Sequence, residues 1–297
     1  MAKILAKYKN GNTNVVILED GTKIREYKGT PKPVHPESID CKVTNYCDLG
    51  CAFCHENSTV KGEHADLEKL KAVLISLPAG TELALGGGNP LDHPDILDFL
   101  TWCKLRGIIA NMTINQGHLE QFYHFIVELI KNELIKGIGI SITSDDYTYV
   151  KKIKMLSNNV VYHLIVGIHK PEILKELDAL GNPKYLILGY KQFGRGIRYY
   201  SEEVENGIQD WEQSIEEILN TADSIISFDN LALEQLKIQE KIDPKLWEQA
   251  YMGDDFTFTM YIDAVNQEYA PTSRSNNRKS FNEYSLFEYF IKHRINV

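Results

Sequence analysis

The chain lacks an apolar run of the roughly 18 to 20 residues that a membrane-spanning helix requires, and it also lacks an excess of basic residues. Its 297 residues contain 32 lysines and arginines against 41 aspartates and glutamates, which gives a formal net charge of −9 at pH 7. Because a broad nucleic-acid interface needs a basic face, we expect neither a membrane protein nor a nucleic-acid-binding protein. The first ten residues lack the apolar core of a signal peptide, so we expect a cytoplasmic protein.

Cysteine is scarce and unevenly distributed. Three of the five cysteines lie within eight residues; the five are Cys41, Cys47, Cys51, Cys54 and Cys103. An odd number with three crowded together makes a poor disulfide framework. A chain of this length buries enough surface to fold without disulfide bonds. In a reducing compartment, crowded cysteines more often bind a metal ion or a cluster.

The first part of the chain reads as a small β appendage. Apolar and polar residues alternate over 3–8, 14–19 and 22–27, as in half-buried strands. Asn-Gly and Asp-Gly pairs, at 10–11 and 20–21, are hairpin signals. Three prolines between residues 29 and 36 indicate a linker. We therefore place a first unit at residues 1–36.

From residue 37 onward, strand-like and helix-like patterns alternate. Six short apolar segments read as strands, at 39–44, 81–85, 108–114, 137–143, 160–168 and 185–190. Helical patterns separate most of them, which predicts a parallel sheet with crossover helices. An open Rossmann-type sheet and a barrel or partial barrel fit this pattern equally well. In either case, active groups belong at the carboxyl ends of the strands.

The last third, residues 201–297, is less regular. It predicts an amphipathic helix over 208–222, a strand over 225–228, a helix over 231–239, a hairpin over 256–263 and 268–271, and a closing helix over 284–293. We treat this region as a C-terminal α+β extension of the unit at residues 37–200.

The crowded cysteines form a C-x3-C-x2-C motif that follows the first strand of the α/β unit. Three thiolates on one short loop can hold three corners of a cubane iron–sulfur cluster. A fourth cysteine is absent nearby, since Cys41 precedes the loop and Cys103 lies far beyond it, so one iron is expected to stay open. A zinc site that includes His55 is the alternative, although consecutive residues do not easily face one tetrahedral ion.

With Phe53 before its last cysteine, the motif resembles that of the radical S-adenosylmethionine (SAM) superfamily. In that superfamily the motif follows the first strand of a partial (β/α)6 TIM-like barrel, and the resemblance here covers residues 37–200. It implies a [4Fe–4S] cluster on Cys47, Cys51 and Cys54 whose open iron is chelated by SAM. It further implies reductive cleavage of SAM to a 5′-deoxyadenosyl radical that abstracts a substrate hydrogen, with a one-electron donor such as flavodoxin or ferredoxin.

The same resemblance implies a set of SAM contacts at strand ends. The glycine-rich segment Gly86, Gly87, Gly88 and Asn89 corresponds to the segment that meets the SAM amino group, with Asn89 where the family often has an acidic residue. The ribose or carboxylate contacts correspond to Asn115, Ser141 and Thr143, and the adenine contacts to the backbone of Phe53, Gly189 and Tyr190. Ordinary turns and strand-end capping explain the same residue types equally simply.

Charged residues near these strand ends suggest further contacts. Lys191 or Arg195 is a candidate partner for the methionine carboxylate of SAM or for a substrate anion, since arginine suits bidentate carboxylate binding. A solvated loop charge is the simpler alternative for each. His55 directly follows the cluster motif and is a candidate contact of the cluster or of SAM.

Cys41 is a candidate catalytic hydrogen donor. Along the first strand, Ile39, Cys41 and Val43 share one face, while Asp40, Lys42 and Thr44 share the other. If the polar face lines the barrel interior, Cys41 instead packs against the helices. His163, within the fifth strand, either lines the barrel or is an ordinary core histidine, and the core position is the commoner case.

Residues 260–272 resemble a hairpin run found in C-terminal extensions of peptide-modifying members of the superfamily. Thr272 stands where those members have a cysteine, and no cysteine follows Cys103, so we expect no auxiliary cluster. We expect a single-cluster enzyme acting on a peptide or protein, guided by strand addition at this hairpin or at the N-terminal appendage. The alternatives are an enzyme of nucleosides or other small metabolites, an activase of a glycyl-radical enzyme, and a metal-binding regulatory module.

Overall fold

The structure, a computed structural model, describes residues 2–181 and 183–294. Its strands are β1 (Ile4–Asn10), β2 (Thr13–Leu18), β3 (Lys23–Tyr27), β4 (Ser38–Thr44), β5 (Glu82–Gly87), β6 (Ile109–Asn115), β7 (Gly137–Ser141), β8 (Val160–Ile165), β9 (Lys184–Leu188), β10 (Ile225–Phe228), β11 (Thr259–Asp263), β12 (Glu268–Ala270) and β13 (Lys279–Ser280). Its helices are α1 (Leu67–Leu74), α2 (Ile96–Arg106), α3 (Tyr123–Lys131), α4 (Thr148–Lys154), α5 (Ile173–Asp178), α6 (Gly196–Tyr199), α7 (Glu202–Thr221), α8 (Asn230–Gln235), α9 (Ile238–Lys241), α10 (Pro244–Ala250) and α11 (Leu286–Arg294).

A single mixed sheet organises the molecule, in the strand order β10-β9-β8-β7-β6-β5-β4-β11-β12-β13. Strands β4 to β10 are parallel to their neighbours, and β11 joins β4 in parallel as well. The predicted α/β fold and its six strands, here β4 to β9, are confirmed. No ladder joins β10 to β11 within the described ranges, so the curved sheet forms a partial barrel that stays open on that side.

The sheet extends beyond the predicted unit at residues 37–200. Strands β10 and β11 both belong to the C-terminal third, and each adds one parallel strand to an edge of the six-stranded core. The hairpin predicted there is confirmed as β11 and β12. Residue 200 therefore does not mark a break in the sheet.

Alternating burial along the strands separates an outer face from an interior. In β4, Ile39, Cys41 and Val43 are buried, and they belong to the continuous core that the sheet forms with its helices. The alternate positions face the barrel interior, as period-two geometry requires. Small residues stand at some of these positions, such as Ala84 in β5 and Gly139 in β7, and the His163 ring packs against Gly139.

The N-terminal strands β1, β2 and β3 form a separate antiparallel sheet at the amino ends of the barrel strands. Val15 and Ile17 pack there against Ile109, the first residue of β6. Arg25 forms an ion pair of 2.7 Å with the fully buried Glu37, which lies directly before β4. This sheet thus closes the end of the barrel opposite to the cysteine loop. The expectation that it guides a substrate chain to the site has no support in this placement, which leaves the C-terminal hairpin as the candidate guide.

The C-terminal segment returns to the barrel edge and ends in α11. Phe256, Tyr269, Tyr289 and Phe290 form an aromatic cluster that fixes this helix against the β11–β12 hairpin. The closing helix predicted over 284–293 is confirmed in α11. Within the described part of the chain, no helix is both long and apolar enough to cross a membrane.

Candidate active site

The three clustered cysteines lie on the loop that leaves the carboxyl end of β4. The loop is anchored by its own backbone, since the Cys47 N–H donates to the Thr59 carbonyl at 3.0 Å and the Cys54 N–H to the Cys51 carbonyl at 3.2 Å. The thiols of Cys47, Cys51 and Cys54 are free and half-buried. They therefore present three sulfur ligands from one short loop at the edge where the fold class places active groups.

As the structure places them, the three thiols do not form a site for one tetrahedral metal ion. Four ligands of a tetrahedral zinc lie about 3.8 Å apart when the Zn–S bond is about 2.3 Å. Among the described residues, the three sulfurs do not form a set within 4.8 Å of one another. Partial burial raises the pKa of the Cys47 and Cys51 thiols, and the nearby Cys54 raises both further. A raised pKa means that forming the thiolate costs free energy. Binding to iron offsets this cost, because the metal binds the thiolate form.

A second arrangement involves Cys47 in a different set. The ligand atoms of Cys47, Asp48 and His118 all lie within 4.8 Å of one another. The His118 Nε2 atom lies 2.8 Å from an Asp48 carboxylate oxygen, and the His118 side chain is almost fully buried. An ion held by this set would compete with an iron cluster for Cys47. The zinc alternative thus has a concrete geometry that metal analysis can test.

The glycine-rich segment at the end of β5 packs directly against the start of the cysteine loop. The Gly88 N–H donates to the Thr44 carbonyl and the Asn89 N–H to the Tyr46 carbonyl, both at 2.7 Å. A Cβ atom on Gly87 would lie 2.4 Å from the Thr44 oxygen, and one on Gly88 would lie 2.0 Å from the Tyr46 oxygen. Two of the three glycines therefore permit a close backbone approach that no other residue allows.

The remaining two residues of this segment differ in role. Gly86 has nothing within 4 Å of the position of a Cβ, so it faces open space. The Asn89 side chain is used internally: its Oδ1 accepts from the Leu91 N–H at 3.3 Å, and its Nδ2 donates to Asp92 at 2.7 Å. The predicted SAM contacts of this segment therefore remain predictions, and Gly86 is the position whose surroundings leave room for a ligand.

Arg195 holds the cysteine loop from the opposite side. Its Nε donates to the Cys51 carbonyl at 2.8 Å, its Nη1 to the Ser58 carbonyl at 2.7 Å, and its backbone N–H to the Cys54 carbonyl at 3.0 Å. Gly194 lets the chain approach this closely, because a Cβ there would lie 2.5 Å from the His55 oxygen. The Arg195 guanidinium therefore anchors the loop. Of the two candidates for binding the SAM carboxylate or a substrate anion, Lys191 is the one whose charge is not used in this way.

We expect Arg195→Lys to weaken cluster retention without unfolding the protein. An ammonium cannot reproduce the two directed bonds to separate carbonyls, and outer-shell partners of metal ligands typically contribute about 10- to 100-fold to metal binding or activity. Iron release to a chelator from the reconstituted protein measures the effect. Arg198→Lys, on an exposed side chain of α6, is the matched control. Equal iron-release rates in the two variants would contradict the anchoring role.

A cleft of about 880 Å³ opens beside the cysteine loop. Cys51 and Phe53 line it from the loop, Thr143 lines it after β7, and His169 lines it after β8. Its volume lies in the range of small-molecule sites. The cleft brings three residues of the predicted site, Cys51, Phe53 and Thr143, to one surface.

Polar side chains connect the strand ends that border this cleft. Asn115 Oδ1 accepts from the Thr143 hydroxyl at 3.0 Å, and Asn115 Nδ2 lies 3.9 Å from Cys51 Sγ. Gln116 Oε1 accepts from the Thr143 and Ser144 N–H groups at 2.9 and 3.1 Å. Gln116 is not among the residues that the sequence predicted for this site. Ser141 ends β7 at the position paired with Asn115.

The remaining predicted contacts gather around a smaller cavity of about 40 Å³ on the inner side of the cysteine loop. It is lined by Phe53, His55, Ile165, Leu188, Gly189, Tyr190 and Lys191. Both backbone polar groups of Tyr190 are engaged by the Gln235 side chain, at 2.9 and 3.1 Å. Gln235 was not foreseen, because α8 reaches this strand end only through the tertiary fold.

The placement of Cys41 gives its predicted hydrogen-donor role no support. The residue is 2% exposed and packs with the outward-facing residues of β4 in the main core. Burial raises the pKa of the thiol well above its ordinary value. The opposite face of β4, which carries Asp40 and Lys42, is the one that turns toward the interior.

An ion-pair network joins the barrel to the C-terminal extension beside the cysteine loop. Lys42 contacts Glu56 at 3.2 Å and Asp263 at 3.1 Å, and Asp263 also contacts Arg278 at 3.5 Å. His55 Nε2 lies 3.3 Å from Glu56. The hydrogen bond with His55 and the charge of Lys42 outweigh the effect of burial and lower the pKa of Glu56 to about 2. The network holds residues 55–56 in a fixed orientation.

Comparison with known proteins agrees with this architecture. Residues 41–226 match the family model described as the radical SAM superfamily. Three solved structures of Streptococcus suis SuiB are similar. The SAM-bound form has a TM-score of 0.62 at 14% identity, over 87% of this chain and 66% of SuiB. The form bound to the precursor peptide SuiA has a TM-score of 0.60 at 15% identity, over 87% and 65%. A third SuiB structure has a TM-score of 0.60 at 13% identity, over 97% and 87%.

At these identities the likeness to SuiB shows a shared fold. In the two ligand-bound comparisons the match spans slightly less than two thirds of the SuiB chain. A comparison with curated proteins gives no significant match.

Proposed function

This chain belongs to the radical SAM superfamily and is a radical SAM enzyme, and from this premise we propose that it cleaves SAM reductively at a single [4Fe–4S] cluster and acts on a peptide or protein. The observation that carries the proposal is the set of three free, half-buried thiols on one loop beside a cleft of about 880 Å³. When bound, the cluster and SAM would supply the one-electron chemistry that generates a 5′-deoxyadenosyl radical.

The residues of this chain would supply binding, orientation and exclusion of water. Cys47, Cys51 and Cys54 would hold the cluster, while Arg195 and the backbone approach at Gly88 keep their loop in place. Lys191 lies at the inner cavity, and its ammonium donates to Ser273 of the C-terminal extension at 3.3 Å. It is the candidate partner for the SAM carboxylate.

The proposal of a peptide or protein substrate is supported by the C-terminal extension and by the solved structures that share this fold. The β11–β12 hairpin extends the barrel sheet next to β4, the strand that leads into the cysteine loop. The following segment reaches the interior through the Lys191–Ser273 contact. SuiB, which shares the fold, has been seen with a precursor peptide.

The test of the cofactor proposal is anaerobic reconstitution, followed by EPR of the reduced protein with and without SAM. We expect a [4Fe–4S]+ signal that changes shape when SAM is added, together with formation of 5′-deoxyadenosine. Zinc instead of iron on elemental analysis would favour the set of Cys47, Asp48 and His118 and a regulatory metal site. A cluster signal indifferent to SAM would contradict the proposal.

The proposal that the substrate is a peptide or protein is tested by comparing two substrate pools under the same conditions. We expect a random peptide pool to stimulate formation of 5′-deoxyadenosine above the basal rate, and a pool of nucleosides and small metabolites to have no such effect. Stimulation by the metabolite pool alone would contradict the proposal that the substrate is a peptide or protein. It would leave the proposal of SAM cleavage at the cluster intact. The physiological electron donor, proposed to be a flavodoxin or ferredoxin, is replaced by dithionite in this assay.

A further inference from the structure

A short turn after β6 contacts the cysteine loop at several points. The turn, residues 115–118, begins at the last residue of β6 and continues as a single 3-10 turn. Its far side is fixed to the segment after β7. There, Gln116 Oε1 accepts from two backbone N–H groups, and its Nε2 donates to the Asp146 carbonyl at 2.7 Å. Because Gln116 is buried, the turn has a fixed position from which it can hold the cysteine loop.

Asn115 makes a direct contact with one of the clustered thiols. Its Nδ2 donates to Cys51 Sγ at 3.9 Å. Its Oδ1 accepts from the Gly117 N–H at 2.9 Å and from the Thr143 hydroxyl at 3.0 Å. A side-chain amide has two acceptor positions and two N–H donors, so both acceptor positions and one donor are used within the protein. The two bonds to Oδ1 fix the orientation of the amide, and this orientation directs an N–H toward the Cys51 sulfur.

The end of the turn contacts the first part of the cysteine loop. His118 Nε2 lies 2.8 Å from an Asp48 carboxylate oxygen, and the His118 side chain is only 2% exposed. The ligand atoms of Cys47, Asp48 and His118 all lie within 4.8 Å of one another. Gly117 packs against Leu49, since a Cβ on this glycine would lie 3.0 Å from the leucine side chain. One turn therefore contacts the loop beside Cys47, at its middle and, through Asn115, at its second cysteine.

Contacts of this kind affect how readily an iron–sulfur cluster is reduced and how firmly it is held. Hydrogen bonds to the sulfurs are among the factors that set the reduction potential of a cluster. Reduction adds negative charge to the cluster and its thiolates, so a donor to sulfur stabilises the reduced form more than the oxidised form. Outer-shell partners also keep metal ligands in their orientation. The contacts at Cys51 and beside Cys47 suit both effects.

We propose that the turn at residues 115–118 positions the cluster ligands. Asn115 donates a hydrogen bond to the Cys51 thiolate and makes the cluster easier to reduce, while His118 holds Asp48, and with it Cys47, in place. Both are positioning residues, because they act through the cysteines. This inference rests on the proposed function and deepens it by assigning residues that tune its cluster. It gives Asn115 a different role from the SAM contact that the family resemblance implies.

The role of Asn115 is tested by an EPR-monitored redox titration of the reconstituted protein without SAM. Asn115→Ser keeps a hydroxyl that can accept from the Gly117 N–H but lacks the amide that reaches Cys51. We expect the equilibrium constant for reduction to fall by about three- to tenfold, which lowers the midpoint potential by about 30 to 60 mV for one electron. The matched control is Asn132→Ser, an exposed asparagine at the end of α3, which should keep the wild-type potential. An unchanged potential in Asn115→Ser would overturn the role of Asn115.

The role of His118 is tested by iron release to a chelator, a measurement that does not depend on the Asn115 variant. His118→Gln places an amide N–H near the position of Nε2 and can keep the bond to Asp48, whereas His118→Leu cannot. We expect iron release to be about tenfold faster in His118→Leu and close to the wild-type rate in His118→Gln. Both variants replace the same buried ring, so a general loss of packing would affect them alike. Equal release from the two variants would overturn the role of His118.

Leaving SAM out of both measurements separates this inference from the predicted SAM contact. If Asn115 served only to bind SAM, Asn115→Ser would keep the wild-type potential and iron release and would only bind SAM more weakly, which would overturn the inference. The experiments also separate it from the proposed function. If the wild-type protein cleaves SAM and the variants match it, only the positioning role fails. If the wild-type protein assembles no cluster that responds to SAM, the proposed function fails and the inference with it.

Discussion

Replacing Cys51 with alanine is expected to abolish reductive SAM cleavage and to remove most of the cluster. Three cysteines are the full set available on this loop, so the loss of one leaves two protein ligands where a cubane cluster needs three or four. Iron after anaerobic reconstitution should fall from about four per chain to less than about one. Formation of 5′-deoxyadenosine should fall to the background rate. Iron analysis and chromatography of the reaction products measure both.

The matched control is Cys103→Ala. Cys103 is fully buried on α2, and burial raises the pKa of its thiol to about 12, so it is a core side chain. This variant should lose some stability to the small cavity, by about 1 kcal/mol, and keep its iron. SAM cleavage that survives in Cys51→Ala would contradict the cluster assignment. Equal iron loss in both variants would mean that the effect comes from folding.

Gly88→Ala is expected to separate the end of β5 from the cysteine loop. The added Cβ would stand 2.0 Å from the Tyr46 carbonyl oxygen, a backbone atom that cannot rotate away. Overpacking against a flexible side chain costs about 1–3 kcal/mol, and a rigid backbone contact should reach the upper end of that range. We expect the apoprotein to lose about 3 kcal/mol of unfolding free energy and the reconstituted protein to bind less iron.

Gly86→Ala is the matched control for Gly88→Ala. It tests whether any alanine substitution in this glycine-rich segment destabilises the protein, or only one that creates a close contact. A Cβ on Gly86 has nothing within 4 Å, so this variant should keep both its stability and its iron. If Gly86 contacts SAM, as the family resemblance implies, the same variant should weaken SAM binding alone. Urea unfolding of the apoprotein, iron content and the SAM-dependent EPR change give three independent readouts. Similar stability in both variants would contradict the close approach at Gly88.

The cysteine loop was identifiable from sequence because its information is local. One short segment contains Cys47, Cys51 and Cys54. Their spacing alone therefore predicts three metal ligands on a single loop. The alternation of strands and helices likewise predicted the parallel sheet, since each element carries its own hydrophobic period. The β11–β12 hairpin was recognisable for the same reason, although its pairing with β4 was not.

The role of Arg195 could not be predicted from the residues around it in the sequence. A lone arginine after a strand reads as an anion contact or as a solvated charge, and only the folded chain brings it to the carbonyls of Cys51 and Ser58. Gln235 is similar, because it meets Tyr190 across 45 positions of sequence. Partners so distant leave no spacing pattern in a single sequence.

The α/β class, the three-cysteine loop and the two alternating faces of β4 were predictable from the amino-acid sequence. Which of the two faces of β4 is the interior was not, and it emerges only from the folded chain. Period-two alternation assigns Asp40 and Cys41 to opposite sides but does not orient the strand. Burial of Cys41 in the helix-covered core places Asp40 on the interior face of β4. Orientation depends on where the helices pack, which is a property of the whole sheet.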